Sequence, residues 1–160
     1  MKHKLFSIVF IGLFILGIVP AILCAQSAAT MDTILDQDML SFGAASYLLL
    51  AARGDIDDDT DFEQAAGMMA KAQPLFSDKG AEETLDLGEF SFLLMEVYDL
   101  GGGLMYSILP SPRYAVRELA FLKIVQGSSY PNSALTGERA VRILERYLTV
   151  SGRMGSGGEA

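Results

Sequence analysis

Three stretches of this chain open in the same way, and that repetition constrains the fold more than any single residue does. Leu40-Ser41-Phe42-Gly43 leads into Tyr47-Leu48-Leu49, Leu85-Asp86-Leu87-Gly88 into Phe92-Leu93-Leu94, and Leu135-Thr136-Gly137-Glu138 into Val141-Arg142-Ile143-Leu144. Ser41, Asp86 and Thr136 each offer a side-chain oxygen to the free N–H groups of a first helical turn. Apolar residues then recur at i, i+3, i+4 and i+7: Ala45, Leu48, Leu49 and Ala52; Phe90, Leu93, Leu94 and Val97; Ala140, Ile143, Leu144 and Tyr147. That spacing places each set on one helix face. The starts lie 45 and 50 residues apart, a period suited to repeated helix pairs. The expectation is an all-α domain of repeated helix pairs over residues 40–150.

Other helices fall between these. Thr60-Asp61-Phe62-Glu63 reads as a capping box, with Thr60 as the cap and a helix running to about Ala72. Pro112 suits the first turn of a helix through Tyr114, Val116, Leu119 and Leu122 to about Val125. Gly101-Gly102-Gly103 breaks the chain after the middle repeat helix, and 126–132 is a turn-rich stop. The apolar segment 104–112 reads as a loop packed into the core, or as a partner surface if exposed. Residues 26–39 form a lead-in with no assigned structure, and the glycine-rich tail 151–160 is expected to be disordered.

The N-terminus carries an address. Lys2, His3 and Lys4 precede the uncharged apolar run Leu5 to Val19, then Pro20 and Ala21 to Ala25. This is the order of a secretory signal peptide, residues 1–25, and implies export to the periplasm or cell surface, with cleavage after Ala25 or Ser27. Two alternatives stand beside it. Leu5 to Leu23 approaches the length that crosses a bilayer. Cys24 also offers a thiol for lipidation, although Leu23 is bulky where lipoproteins carry Gly, Ala or Ser. Only retention of the segment or lipidation of Cys24 would attach the protein to a membrane.

Composition then narrows the function. The only histidine, His3, and the only cysteine, Cys24, lie in that leader, and the chain has no tryptophan. The exported body therefore lacks the groups for Ser-His-Asp or Cys-His catalysis and for nearly all zinc, copper and haem sites. No enzyme activity and no cofactor are expected. With the leader removed, ten basic residues face twenty acidic ones, a formal charge of −10 that disfavours nucleic acid and anionic membrane surfaces as partners.

Asp55, Asp57, Asp58, Asp59, Asp61 and Glu63 crowd one loop. An EF-hand counted from Asp55 would need Gly at Thr60 and Glu at Ala66, so the motif fails. Weak calcium binding by Asp55, Asp57, Asp59 and Asp61 stands as the alternative to a solvated loop whose acids favour the next helix N-terminus. Gly101-Gly102-Gly103-Leu104 lacks the Gly-Lys-Ser/Thr of a phosphate loop. Glu89 and Glu96 are candidate paired carboxylates with nothing in the sequence to fix their separation. Arg113, Arg117, Arg139, Arg142 and Arg146 gather in the last third with Lys123, and the last three arginines share one side of a helix. They are the binding candidates for an anionic polymer, set against a solvated face in which Glu138 pairs with Arg142.

The layout of helix, glycine turn, extended stretch and Leu-Thr cap resembles the S-layer homology family. Tyr114 to Leu122 is similar to that family's first helix, Gln126-Gly127 to its turn, and Leu135-Thr136-Gly137-Glu138-Arg139-Ala140 to its Ile-Thr-Arg-Ala-Glu-Phe motif. Leu85 to Phe90 resembles the motif again, with Asp86 for Thr. The likeness spans about two-thirds of the exported body. It implies a compact domain of three helical units that holds cell-wall polysaccharide or peptidoglycan. Two departures are visible. The motif's polymer-facing arginine corresponds to Leu87 and Gly137, and only two complete helix pairs are evident beside a leading helix at 41–53. An adaptor that binds only an envelope protein is the other reading.

Overall fold

The computed structural model describes residues 28–156. The expected signal segment, with His3 and Cys24, and the last four residues lie outside them. The chain divides into two units, Met1–Thr33 and Ile34–Ala160. In the first, residues 28–33 are helical, and Thr33 donates its hydroxyl to the Ala29 carbonyl. The lead-in, read from sequence without assigned structure, thus carries a helix at 28–35.

The second unit is all-α among the described residues. We number its helices α1 (Phe42–Arg53), α2 (Phe62–Ala72), α3 (Leu87–Val97), α4 (Leu104–Ile108), α5 (Pro112–Phe121) and α6 (Gly137–Ser156), with a 3-10 turn at Pro74–Phe76. No helix among the described residues is long and apolar enough to cross a membrane.

The three expected caps form. Ser41 Oγ accepts from Ala44 N, Asp86 Oδ1 from Glu89 N, and Thr136 Oγ1 from Arg139 N. Glu89 reaches back to Asp86 N and completes a capping box. The apolar faces are buried as expected except for Ala52, which is exposed in the last turn of α1. Gly54 ends that helix in the left-handed region at φ 81°, where its N–H reaches Ala51 O.

Four expectations are corrected. The α2 cap is Asp61, paired reciprocally with Gln64, one residue beyond Thr60 and Glu63. That register sets Phe62 edge-on to Tyr47, with ring centroids 5.6 Å apart. Helix α5 stops at Phe121 rather than Val125, because Lys123 adopts φ 60°. The chain folds back there, both Ile124 N and Val125 N donate to Leu119 O, and the two side chains stay buried. Segment 104–108 is a helix rather than a loop, and most of its apolar side chains are exposed. The last helix continues to Ser156, into the expected disordered tail, because its backbone ladder is not interrupted by Gly152 or Gly155.

What organises the unit is the way the three cap segments meet. Leu85 N donates to Leu40 O, and Leu40 N to Leu135 O, while antiparallel bridges join Ser41 to Thr84 and Asp86 to Ala134. Each segment therefore contacts both of the others. The second joint repeats the first: Phe42 N to Glu83 O and Gly43 N to Ala81 O are matched by Leu87 N to Ser133 O and Gly88 N to Pro131 O. Leu40, Leu85 and Leu135, at the centre, are 0–2% exposed. These hydrogen bonds satisfy backbone groups that would otherwise be buried without partners.

Around this closed ring α1 packs on α2, and α3 on α5. An aromatic chain ties them together, with Phe42 stacked on Phe76 at 5.6 Å, Phe76 to Phe92 at 6.2 Å, and Phe92 to Tyr106 at 6.3 Å. Residues 62–72 and 112–121 correspond at a spacing of 50. Ala65 with Ala115, Ala66 with Val116, and Met69 with Leu119 are equivalent pairs, all buried.

Candidate functional site: the hollow at the α5 start

The second joint of the ring builds the most suggestive surface. Gly88 lies under two prolines, because a Cβ placed on it would meet Pro112 Cβ and Pro131 Cβ at 3.1 Å each. Absence of a side chain lets the start of α5 and the loop 130–132 close over the start of α3. Arg113, next to Pro112, and Tyr130 and Asn132, on either side of Pro131, then face one open hollow of about 380 Å³. Tyr130 is 77% exposed, unusual for so large a ring. Asn132 also borders a neighbouring groove of about 290 Å³ with Met39, Thr84, Leu85, Asp86, Glu89 and Ala134.

The loop is pinned at both ends. Pro131 O and Ser133 O accept from α3, while Arg139 Nη2 donates to Gln126 O at 3.4 Å and to Ser128 O. Arg139 is half-buried, and burial first, then the nearby Arg142 charge, pull its pKa below the usual guanidinium value. At the equivalent position of the preceding unit, Glu89 pairs with Lys79 at 2.6 Å. Both units thus use the fifth residue of the repeated motif, counted from its leading leucine, to fasten the loop before it. Arg139→Ala should lower stability by roughly 1 kcal/mol, the worth of a charge-assisted hydrogen bond at a partly exposed site. Arg142→Ala should stay within about 0.5 kcal/mol, since its 3.3 Å pair with Glu138 is exposed. Urea midpoints of the two variants check this.

The five arginines named from the sequence stand in different surroundings. Arg139 is occupied by its own loop and Arg142 by Glu138, as the i, i+4 spacing implied. Arg146 is half-buried on α6. Arg113 lines the hollow, and Arg117 stands exposed one turn further along α5. Tyr130 and Asn132 went unrecognised in the sequence because the segment reads only as a turn. The spacing of Pro112 and Pro131 around an exposed tyrosine becomes meaningful once Gly88 is seen beneath them.

Several of the acids are likewise engaged. No three His, Cys, Asp or Glu side chains among the described residues are arranged to hold a metal ion. Within the loop proposed for calcium, Asp55 pairs with Arg53 and Asp61 caps α2. Asp86 has its pKa raised, chiefly by burial, against the lowering effect of the Glu89 backbone hydrogen bond. Glu96 accepts from Tyr106 Oη at 2.7 Å. The carboxylates considered for acid–base chemistry, Glu89 and Glu96, thus serve a capping box and ion pair and a tyrosine, respectively.

Comparison of the chain with family models, with curated proteins and with solved structures finds no match.

Proposed function

We propose that the chain is an exported, non-catalytic binding module of the cell envelope, and that the hollow at Arg113, Tyr130 and Asn132 takes a wall polysaccharide. The observation that carries this reading is the exposed ring of Tyr130 beside a guanidinium and an amide. A sugar presents C–H groups on its faces and hydroxyls on its rim. The faces pack on an aromatic ring, the hydroxyls need the donors and acceptors of an amide, and an anionic substituent pairs with arginine.

The resemblance to the S-layer homology family supports the same reading, since its members hold wall polymers with three helical units. Leu87 and Gly137, at the positions of the family's polymer-facing arginine, are buried. Arg113 takes over the role from the neighbouring helix. The basic-then-apolar start of the chain supports export. The engagement of Glu89 and Glu96 in structural hydrogen bonds supports a role in binding rather than catalysis.

Co-sedimentation of the purified protein with peptidoglycan sacculi, with and without attached polymers, tests the proposal over a salt series. Tyr130→Ala should lower retention about tenfold, the size of a central aromatic contact. Arg113→Ala should lower retention and flatten its salt dependence, while Arg142→Ala should leave it unchanged. No retention on either preparation would sink the polymer reading and favour the adaptor that binds only protein.

A further inference from the structure

Helix α4 is built the wrong way round for a helix of a folded core. Tyr106 alone points inward, 5% exposed, held by the Phe92 ring and by Glu96. Leu104, Met105, Ile108 and Leu109 project outward at 59–75% exposure, and Phe121 at the end of α5 reaches 81%. The two elements adjoin, since a Cβ on Gly103 would sit 2.5 Å from Glu118 Oε1. Arg117 lies one turn before Phe121 on the same ridge of α5, and Lys123 follows it; both are exposed.

We infer that this edge docks on an anionic lipid bilayer surface, with Leu104, Met105, Ile108 and Leu109 inserted among the acyl chains and Arg117 and Lys123 against the headgroup phosphates. Two features select a bilayer over a peptide or folded partner. The apolar side chains form a projection rather than a groove, as in interfacial membrane helices. The cations beside them complement anionic headgroups, each contributing favourably near such a surface. The chain as a whole is acidic, with a formal net charge of −8. Its repulsion from the same surface restricts contact to this edge and fixes the orientation. The inference is independent of the polymer hollow, because neither Tyr130 nor Asn132 takes part.

The chain has no tryptophan, so Ile108→Trp makes this face the sole indole. Leu75→Trp, at a 61% exposed position in the 3-10 turn, is the control. Each full-length variant is mixed with phosphatidylglycerol vesicles carrying brominated acyl chains, and with phosphatidylcholine equivalents. Ile108→Trp should shift its emission to the blue and be quenched at least threefold more strongly than Leu75→Trp on the anionic vesicles. Adding Arg117→Gln and Lys123→Gln should weaken the vesicle affinity tenfold or more. The comparison of two positions in one full chain separates local insertion from any partitioning of the apolar segment Leu5 to Leu23. Equal quenching at both positions, or none at Ile108→Trp, overturns the inference and leaves the patch to a protein partner. Sacculus retention is read on other residues, so the two proposals fail separately.

Discussion

Gly137→Ala should not fold to the native state. A Cβ at this position would lie 1.6 Å from Ile34 O and 2.7 Å from Ile34 C. Both are backbone atoms, so no side chain can swing away to make room. Gly137 N also donates to Gln37 O, which holds the start of α6 against this segment. Relief would require the segment 34–37 to move off the ring, at a cost above roughly 4 kcal/mol, where single substitutions become exceptional. A small domain has only about 5–15 kcal/mol in total.

A graded series makes the claim specific. Gly43→Ala meets Phe62 O at 2.8 Å and should cost less than Gly137→Ala, because α2 can shift. Gly88→Ala meets two proline Cβ atoms at 3.1 Å and should cost less again. Gly67→Ala meets nothing within 4 Å and should stabilise α2 by roughly 0.5–1 kcal/mol. Soluble yield, circular dichroism and urea midpoints give the order. A Gly137→Ala protein as stable as the parent would mean that α6 does not start against Ile34.

Leu85→Ala is the second large effect, with an expected loss of about 2–5 kcal/mol. Leu85 is 2% exposed and sits where the three cap segments meet. Leu40 and Leu135 on either side are held by backbone hydrogen bonds and cannot collapse into the space. Leu104→Ala, at a 75% exposed position, should move the urea midpoint by no more than about 0.5 kcal/mol. Equal effects at the two leucines would refute a shared centre.

What was legible in the sequence was local. Ser41, Asp86 and Thr136 act on N–H groups within the next three residues, so their role is readable without knowing the fold. The faces that follow were readable because the helical period repeats within each segment. Helix ends proved harder. Thr60 and Asp61 both qualify as caps, and the choice depends on Phe62 meeting Tyr47 from another helix. Lys123 gives no sign in the sequence of a left-handed backbone, and the buried Ile124 and Val125 beyond it look like more of the same helix.

The surfaces were least legible. Leu104, Met105, Ile108 and Leu109 have core composition, and hydropathy alone does not distinguish a residue that packs inward from one that projects. Tyr130 and Asn132 belong to a turn by composition and become a site only through Gly88, over forty residues earlier. Arg139 shows the reverse case. A basic side chain on a helix reads as a binding group, yet here it is fastened to carbonyls of its own loop.

The circuit of backbone bonds among the segments at Leu40, Leu85 and Leu135 fixes a number as well as a shape. An open stack of helix pairs has free ends, grows or shrinks by whole units, and frays from its termini. Here the first cap segment is joined directly to the last, so no position exists at which a fourth could be added without parting an existing joint. Losing any one segment unseats both of the others. The unit from Ile34 onward is thus a closed triplet that forms and melts together, and copies of the motif cannot be gained or lost one at a time without a change of architecture.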